Sequence, residues 1–444
     1  MISRPYGRPA RDDGHLVRSA RLWLVAGALA TALWSCDTDS VRPNVVILLM
    51  DTLRADRLGC YGYARDTSPN IDGLATTGVL FRRCYATADY TSASTASLLT
   101  GRYPLAHGYV NASHVLGDSN LTLAEILRGQ GYRTGGFTAN GLAGEKYGMD
   151  QGFDSFFEQN RASAQTMVQQ ISTFVRAADD RPYFVYAHFM DVHDPYRIPR
   201  PQWHRFTNAD RFAFDMTDSL LYDRFIMDAW WSTVQAWQSP TSSPTDIERY
   251  FSDYAELYDA AVAYWDDTLG DLLALLSAEG GRPTIIIITS DHGEQLLEHG
   301  YFGHANSGYD VGLHIPLLIH DPELGPGPRT VEQSISIADL LPTLLTRLNI
   351  EIPGAVQGTQ RWSLVPPPRE TQGQDGTERD GIFTSGTFMS NRPFDTLIQT
   401  YREGDWKLIL DRFRDRKELY NLAEDPGEQH DRFALQPGIV ARLA

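Results

Sequence analysis

Two short apolar runs in this chain stop on carboxylates. Asn44-Val45-Val46-Ile47-Leu48-Leu49-Met50 ends at Asp51, and Thr284-Ile285-Ile286-Ile287-Ile288-Thr289 ends at Ser290-Asp291-His292-Gly293. Two carboxylates and an imidazole make a donor set for one divalent cation. A single Asp after a strand would be read as a turn or a helix cap; the repetition is what points to a site. A third run, Pro182–Phe189, leads into Asp191-Val192-His193-Asp194-Pro195-Tyr196, and His304 closes Tyr301-Phe302-Gly303-His304. A histidine in such a loop is either a hydrogen-bond partner or a group that moves protons near neutral pH. Thr91, Ser92, Ser94 and Thr95 lead into an Ala/Leu stretch that stops at Gly101. Thr91 is therefore expected at or just before a helix N-terminus, where free N–H groups and the helix dipole favour an alkoxide, sulfate or phosphate. Thr91 and Ser92 are also explained as plain N-caps.

The elements that would hold these residues can be read from the same runs. Short unbroken aliphatic stretches predict strands buried on both faces, as in a parallel sheet. Ligands of such sheets sit beyond the carboxyl ends of the strands, where Asp51, His193 and Asp291 stand. Further strands are expected at Gly78–Phe81, Arg133–Thr138 and Ile315–Ile319, and helices from Ser68 to Leu74, Leu121 to Gly129 and Tyr254 to Leu276. Ser336 to Leu348 reads as a helix broken by Pro342. Leu408–Leu410 and Glu418–Leu422 predict short strands of a small appended sheet. The fold class is α/β, a three-layer α/β/α sandwich with a mostly parallel central sheet and a small C-terminal antiparallel subdomain. The expected division is a leader at 1–36, a catalytic domain at 43–363, a polar Pro/Gly-rich linker at 364–380 and a C-terminal subdomain at 381–444. Residues 201–252, rich in aromatics and Asp without periodicity, form an insertion, either a substrate-facing lid or a surface appendage packing its own aromatics.

The chain has 444 residues and a formal net charge of −17, which excludes the basic face of a general nucleic-acid binder. Its lysines are Lys146, Lys407 and Lys417 alone. Arg18 and Arg21 precede the apolar stretch Leu22–Trp34, too short for a comfortable transmembrane helix. Ser35-Cys36 then resembles a bacterial lipoprotein cleavage box, and Asp37 an inner-membrane retention signal. The expectation is export to the periplasmic side of a bacterial membrane, tethered by lipid at Cys36 or by an uncleaved signal anchor. Cys60 and Cys84 remain, to pair or to stay free.

Taken together, the ordered motifs resemble those of the sulfatase family of the alkaline phosphatase superfamily. They are Pro43–Asp51, Leu58–Gly62, Ser68–Leu74, Leu98–Pro104, His193–Tyr196, Thr289–Gly293, Ile315–Leu318, Asp405–Ile409 and Glu418–Gly427. The family's formylglycine nucleophile arises from Cys or Ser at the head of a Cys/Ser-x-Pro/Ala-x-Arg box. Here Thr91 holds that place, Ala93 fits, and Thr95 replaces the Arg. The Gly-Lys-x-His segment is Thr138-Ala139-Asn140-Gly141, His304 fills the second lysine position, and the Asp-Asp pair is Asp51-Thr52. The resemblance therefore implies a Thr-nucleophile variant. Asp51, Thr91, Asp291 and His292 would hold one divalent metal ion, with Thr91, His193 and His304 as catalytic residues. Three oxygens and one imidazole suit Mn²⁺, Mg²⁺ or Zn²⁺ better than Ca²⁺. The implied substrate is a small-molecule, glycan or lipid ester of sulfate or phosphate, with no nucleic-acid partner. Two other readings are a transferase passing a phosphoethanolamine-type headgroup to the envelope, and an inactive binding protein on the same fold.

Overall fold

The computed structural model describes residues 41–177, 179–194, 196–206, 244–278, 282–305, 307–365, 381–386, 398–412 and 414–444. The expected leader with Cys36, most of the expected insertion and most of the expected linker lie outside these residues.

The central sheet has eight strands: β1 (Asn44–Met50), β2 (Val79–Tyr85), β3 (Arg133–Thr138), β4 (Ser155–Glu158), β5 (Tyr183–Phe189), β6 (Thr284–Thr289), β9 (His314–His320) and β10 (Arg329–Ser336). A two-stranded ribbon of β7 (Gln295–Leu296) and β8 (Phe302–Gly303) stands beside it. The strand order is β10-β2-β9-β6-β1-β5-β3-β4. Every neighbouring pair runs parallel except the two made by β9, which is antiparallel to both β2 and β6. The sheet is thus mostly parallel, as the aliphatic runs predicted. In the register, Leu49 pairs with His188 on one side and Thr289 on the other, so β1, β5 and β6 end together and place Asp51, His193 and Asp291 at one rim.

Helices cover both faces. They are α1 (Pro69–Ala75), α2 (Thr91–Thr100), α3 (Leu123–Gly129), α4 (Ala164–Arg176), α5 (Pro244–Ala278) and α6 (Leu340–Arg347). Along β1, Val46, Leu48 and Met50 join one apolar cluster with Met167 and Ile171 of α4 and Trp265 and Leu269 of α5. Val45, Ile47 and Leu49 join another with Leu98 and Leu99 of α2 and Leu340 and Leu341 of α6. A strand buried on both faces has no polar alternation, which is why the run is continuous. Each such aliphatic side chain contributes about 1.5–3 kcal/mol.

The hydroxyl-rich α2 is wholly buried. Two of its interior oxygens are satisfied by its own backbone: Ser97 Oγ donates to Ala93 O (2.9 Å) and Thr100 Oγ1 to Ala96 O (2.7 Å). Gly101 ends it at φ +64°, its N–H returning to Ser97 O. A Cβ there would come within 2.9 Å of Val356 Cγ1.

Two expectations are corrected. Pro342 does not break α6; it sits in the helix's first turn, where no intrahelical N–H is required, after a 3-10 turn at Ile337–Asp339. Helix α5 begins ten residues earlier than the apolar spacing indicated, at Pro244. The tail forms an antiparallel sheet of β11 (Ile382–Gly386), β12 (Ile398–Glu403), β13 (Trp406–Asp411) and β14 (Arg416–Asn421). A buried ionic cluster joins it to the main body: Lys407 Nζ lies 2.5 Å from Asp310 Oδ1 and 2.7 Å from Glu428 Oε1. Cys60 and Cys84 are unpaired.

Candidate active site

Asp51 comes directly after β1 and is fully buried, its N–H bonded to Phe189 O of β5 at 3.0 Å. Asp291 and His292 come just after β6 and are equally buried. Thr91 is the first residue of α2 and 2 % exposed. The loops after β1 and β6 are stitched together by Ser290, whose Oγ donates to Met50 O (2.7 Å) and accepts from Leu53 N (2.9 Å). Arg54, buried itself, spans from the first loop to Glu294 O (3.0 Å) and Glu298 Oε1 (2.7 Å) of the second. Thr52 adopts φ +60°, a conformation that costs a β-branched residue about 1–3 kcal/mol. Its Oγ1 is anchored on Asp51 O and Val192 O, and its N–H faces Asp291 Oδ1 at 3.3 Å.

The four residues expected to hold a metal converge. His292 Nε2 lies 3.4 Å from Thr91 Oγ1, 3.4 Å from Asp291 Oδ2 and 3.6 Å from Asp51 Oδ1. His292 Nδ1 is 3.0 Å from Gly293 O, so it carries the proton and leaves Nε2 a bare acceptor. Asp291 Oδ1 accepts from His292 N (2.9 Å) as well as Thr52 N, but Asp291 Oδ2 and Asp51 Oδ1 are buried without a hydrogen-bond partner. Buried acceptors gathered without donors are what a bound cation would satisfy. Donors about 2.1 Å from a tetrahedral centre stand about 3.4 Å from one another, close to the distances His292 Nε2 keeps from the other three. The residues present therefore fit a divalent metal.

Around this centre lie the expected His193 and His304 together with His188, Asn140 and Glu294, to which the sequence-based expectation gave no role. His188, near the end of β5, brings Nε2 to 3.0 Å from Asp51 Oδ2 and 4.0 Å from Asp291 Oδ2, and its Nδ1 sits 3.0 Å from Tyr186 Oη. Asp51, His188 and Asp291 each offer a donor atom within 4.8 Å of the others. Asn140, just past β3, donates through Nδ2 to Asp51 Oδ2 (2.5 Å) and Thr91 Oγ1 (3.4 Å). Buried Glu294 holds His304 Nδ1 at 3.0 Å. The His304 ring lies 4.6 Å from that of His292 and 5.0 Å from that of His193, while His193 Nδ1 is turned onto Asp194 O.

The electrostatics reflect burial and these neighbours. Burial alone would raise the Asp51 carboxyl, but His193, the His188 hydrogen bond and His292 hold it below its ordinary value. Burial and the charge of Asp51 push Asp291 up. Burial lowers His193. Burial would lower His304 too, yet the charge and hydrogen bond of Glu294 lift it to about 9. The rim thus holds an ionised carboxylate, a hydroxyl at a helix start and an imidazolium.

A family model described as Sulfatase matches residues 43–350. The N-acetylglucosamine-6-O-sulfatase of Bacteroides thetaiotaomicron is 24 % identical over 487 residues, covering 92 % of this chain and 86 % of its own. Among solved structures, a complex with its substrate D-glucosamine-2-N,6-O-disulfate superposes with a TM-score of 0.73 at 20 % identity, covering 90 % of this chain and 96 % of that one. The phosphonate monoester hydrolase of Agrobacterium radiobacter superposes with a TM-score of 0.70 at 22 % identity, over 90 % and 93 %. At these identities the superpositions speak to the fold, an α/β sheet with helices and a small C-terminal antiparallel sheet.

Proposed function

From the premise that the chain belongs to the sulfatase family of ester hydrolases, we propose that it cleaves an anionic ester with Thr91 as the nucleophile. Asp51 Oδ1, Asp291 Oδ2, His292 Nε2 and Thr91 Oγ1 would hold a divalent cation. The observation that carries this reading is the pair of buried carboxylate oxygens with no donor, facing a bare imidazole nitrogen that the Thr91 hydroxyl reaches. When bound, the cation lowers the pKa of a hydroxyl and neutralises an ester oxygen as charge develops.

The chain's own groups supply the rest. Asn140 Nδ2–H and the start of α2 orient Thr91 Oγ1, which, its proton already released to solvent, attacks phosphorus or sulfur as the ester oxygen departs. His304, an imidazolium at neutral pH, gives its Nε2 proton to that oxygen. Water then attacks the threonyl ester, passing a proton back to His304 as the Thr91 alkoxide departs. His193 lies against His304 and would contact the ester oxygens.

A phosphate or phosphonate monoester suits this nucleophile better than a sulfate. A formylglycine hydrate expels sulfate by collapsing to the aldehyde, whereas a threonyl sulfate must be cleaved at sulfur. Glycan sulfates are the second reading, supported by the relatives named above that act on sulfated glucosamines. Chelator-stripped enzyme, reloaded with Mn²⁺, Zn²⁺, Mg²⁺ or Ca²⁺, is to be assayed on 4-nitrophenyl sulfate, 4-nitrophenyl phosphate and a phenylphosphonate monoester. Turnover of the phosphorus esters, lost in Asp291→Asn together with bound metal, is expected. Turnover of the sulfate alone, with an aldehyde at Ser92 or Ser94 by mass spectrometry, would replace Thr91 by a formylglycine.

A further inference from the structure

The two carboxylates of the site share a pattern: in each, one oxygen is fully engaged and the other is bare. For Asp291 the engaged oxygen is tied down by backbone N–H groups of Thr52 and His292. For Asp51 it is tied down by side chains, which the sequence is free to vary. Asn140 Nδ2 reaches Asp51 Oδ2 at 2.5 Å and His188 Nε2 reaches it at 3.0 Å.

Neither partner is free to turn away. Asn140 Oδ1 accepts from Leu142 N at 2.8 Å, capping the 3-10 turn at Gly141–Ala143, so its amide is oriented with Nδ2 towards Asp51 and Thr91. His188 Nδ1 is 3.0 Å from Tyr186 Oη. If Nε2 carries the hydrogen that bonds Asp51, Nδ1 is the acceptor for the tyrosine O–H, and both nitrogens are satisfied. A ring so committed has no lone pair for a metal, although it stands as near the carboxylates as a ligand would.

The geometry points to Asn140 and His188 as an orienting clamp on Asp51 Oδ2, which restricts Asp51 to one metal-facing oxygen and so biases the site against Ca²⁺. This rests on the metal site proposed above. Ca²⁺ takes six to eight oxygens and favours bidentate carboxylates, whereas Zn²⁺ and Mn²⁺ accept few donors and an imidazole. With both carboxylates monodentate, the chain offers three oxygens and one nitrogen. Freeing Asp51 Oδ2 would add the donor that Ca²⁺ lacks and loosen the one that the smaller ions use. His188 and Asn140 are accordingly positioning residues; Asn140 also touches the nucleophile oxygen.

The test is metal binding to the purified full chain without substrate, by competition against a chromophoric chelator with Mn²⁺ and with Ca²⁺. Wild type should bind Mn²⁺ more tightly. His188→Ala and Asn140→Ala should each weaken Mn²⁺ about 10–100-fold, the usual cost of losing a group that orients a ligand, and weaken Ca²⁺ less, so that the ratio narrows. His188→Gln, which restores an N–H in reach of Asp51, should keep most of the wild-type ratio. Asn140→Asp keeps the shape and the cap and guards against an alanine variant that fails to fold; its added oxygen should move the ratio towards Ca²⁺. An unchanged ratio in the alanine and Asn140→Asp variants, with tight Mn²⁺ in wild type, overturns the clamp and leaves the metal site standing. Loss of Mn²⁺ from His188→Gln as complete as from His188→Ala makes His188 a ligand and also overturns it. No metal bound by wild type overturns both.

Discussion

Replacing Glu294 by Gln keeps the shape of the His304 contact and removes its charge. In the folded protein His304 sits at about 9 against an ordinary 6.5, with burial working against the rise and Glu294 its largest source, aided by the charges of Asp51 and Asp291. Without that charge the imidazole should fall from about 9 towards its ordinary range, each unit of the fall being worth about 1.4 kcal/mol of preference for the protonated ring. At pH 7.5 a group at 9 is about 97 % protonated and one returned to 6.5 about 9 %, so a step that needs the imidazolium should slow by up to about tenfold. The loss should be recovered near pH 5.5. The assay is kcat against pH for two esters of the same acid, one with a 4-nitrophenoxide and one with an alkoxide leaving group. The alkyl ester needs the proton more, so its alkaline limb should move furthest. The folded value lies above the unfolded one, so the pair's contribution to stability is complete below about 6.5 and is lost as pH climbs through about 9. Glu294→Gln should flatten that decline in urea midpoints. An alkaline limb unmoved by Glu294→Gln, or moved equally for both leaving groups, would refute the assignment of His304 as the acid.

Three other substitutions probe separate parts of the molecule. Thr91→Ala should lower kcat by at least about 10³, while Thr91→Ser should keep much of it, the buried methyl costing about 1 kcal/mol of stability; full turnover by Thr91→Ala sinks the nucleophile. If Cys36 is lipidated, Cys36→Ser should release the protein from membranes or block its maturation, and unchanged detergent partitioning would favour an uncleaved anchor. Lys407→Met leaves buried Glu428 without its cation, while Asp310 keeps Arg402 at 3.2 Å, and should cost roughly 3 kcal/mol in the urea midpoint; a loss under about 1 kcal/mol would show the cluster to be indifferent.

The rim was legible because burial on both faces leaves an unmistakable pattern. A six-residue aliphatic run such as Thr284–Thr289 has few other uses, and the residues just beyond it must face a cleft. Thr91 was legible through its neighbours, since hydroxyls before an Ala/Leu stretch announce a helix start. The direction of β9 was not, because side-chain alternation is the same for parallel and antiparallel strands. His188 was hidden for a related reason: inside a buried strand a histidine looks like any other core residue, and only the register beside Leu49 brings it to Asp51. The one signal was a titratable ring five residues before His193 in an otherwise apolar run. Asn140 reads in the sequence as a lost lysine and histidine rather than as a donor. Glu294 meets His304 because the β7–β8 ribbon pairs Gln295 with Gly303, and strands of two residues are too short to show a pattern in the sequence.

Ser290 Oγ meets Met50 O across 240 residues of chain, and that separation sets an order of events during synthesis. At about 5–20 residues per second, β1 leaves the ribosome roughly ten to fifty seconds before β6. Strand β5 arrives sooner and can cover one edge, but the other edge of an aliphatic strand stays open until Thr284–Thr289 appears, an exposure of the kind that favours aggregation. Asp51 spends that interval without Asp291 or His292. A cation would therefore find no complete donor set on the growing chain and would be captured only when the last parallel neighbour of β1 docks. Metal content per mole of purified protein would then count the molecules that finished folding.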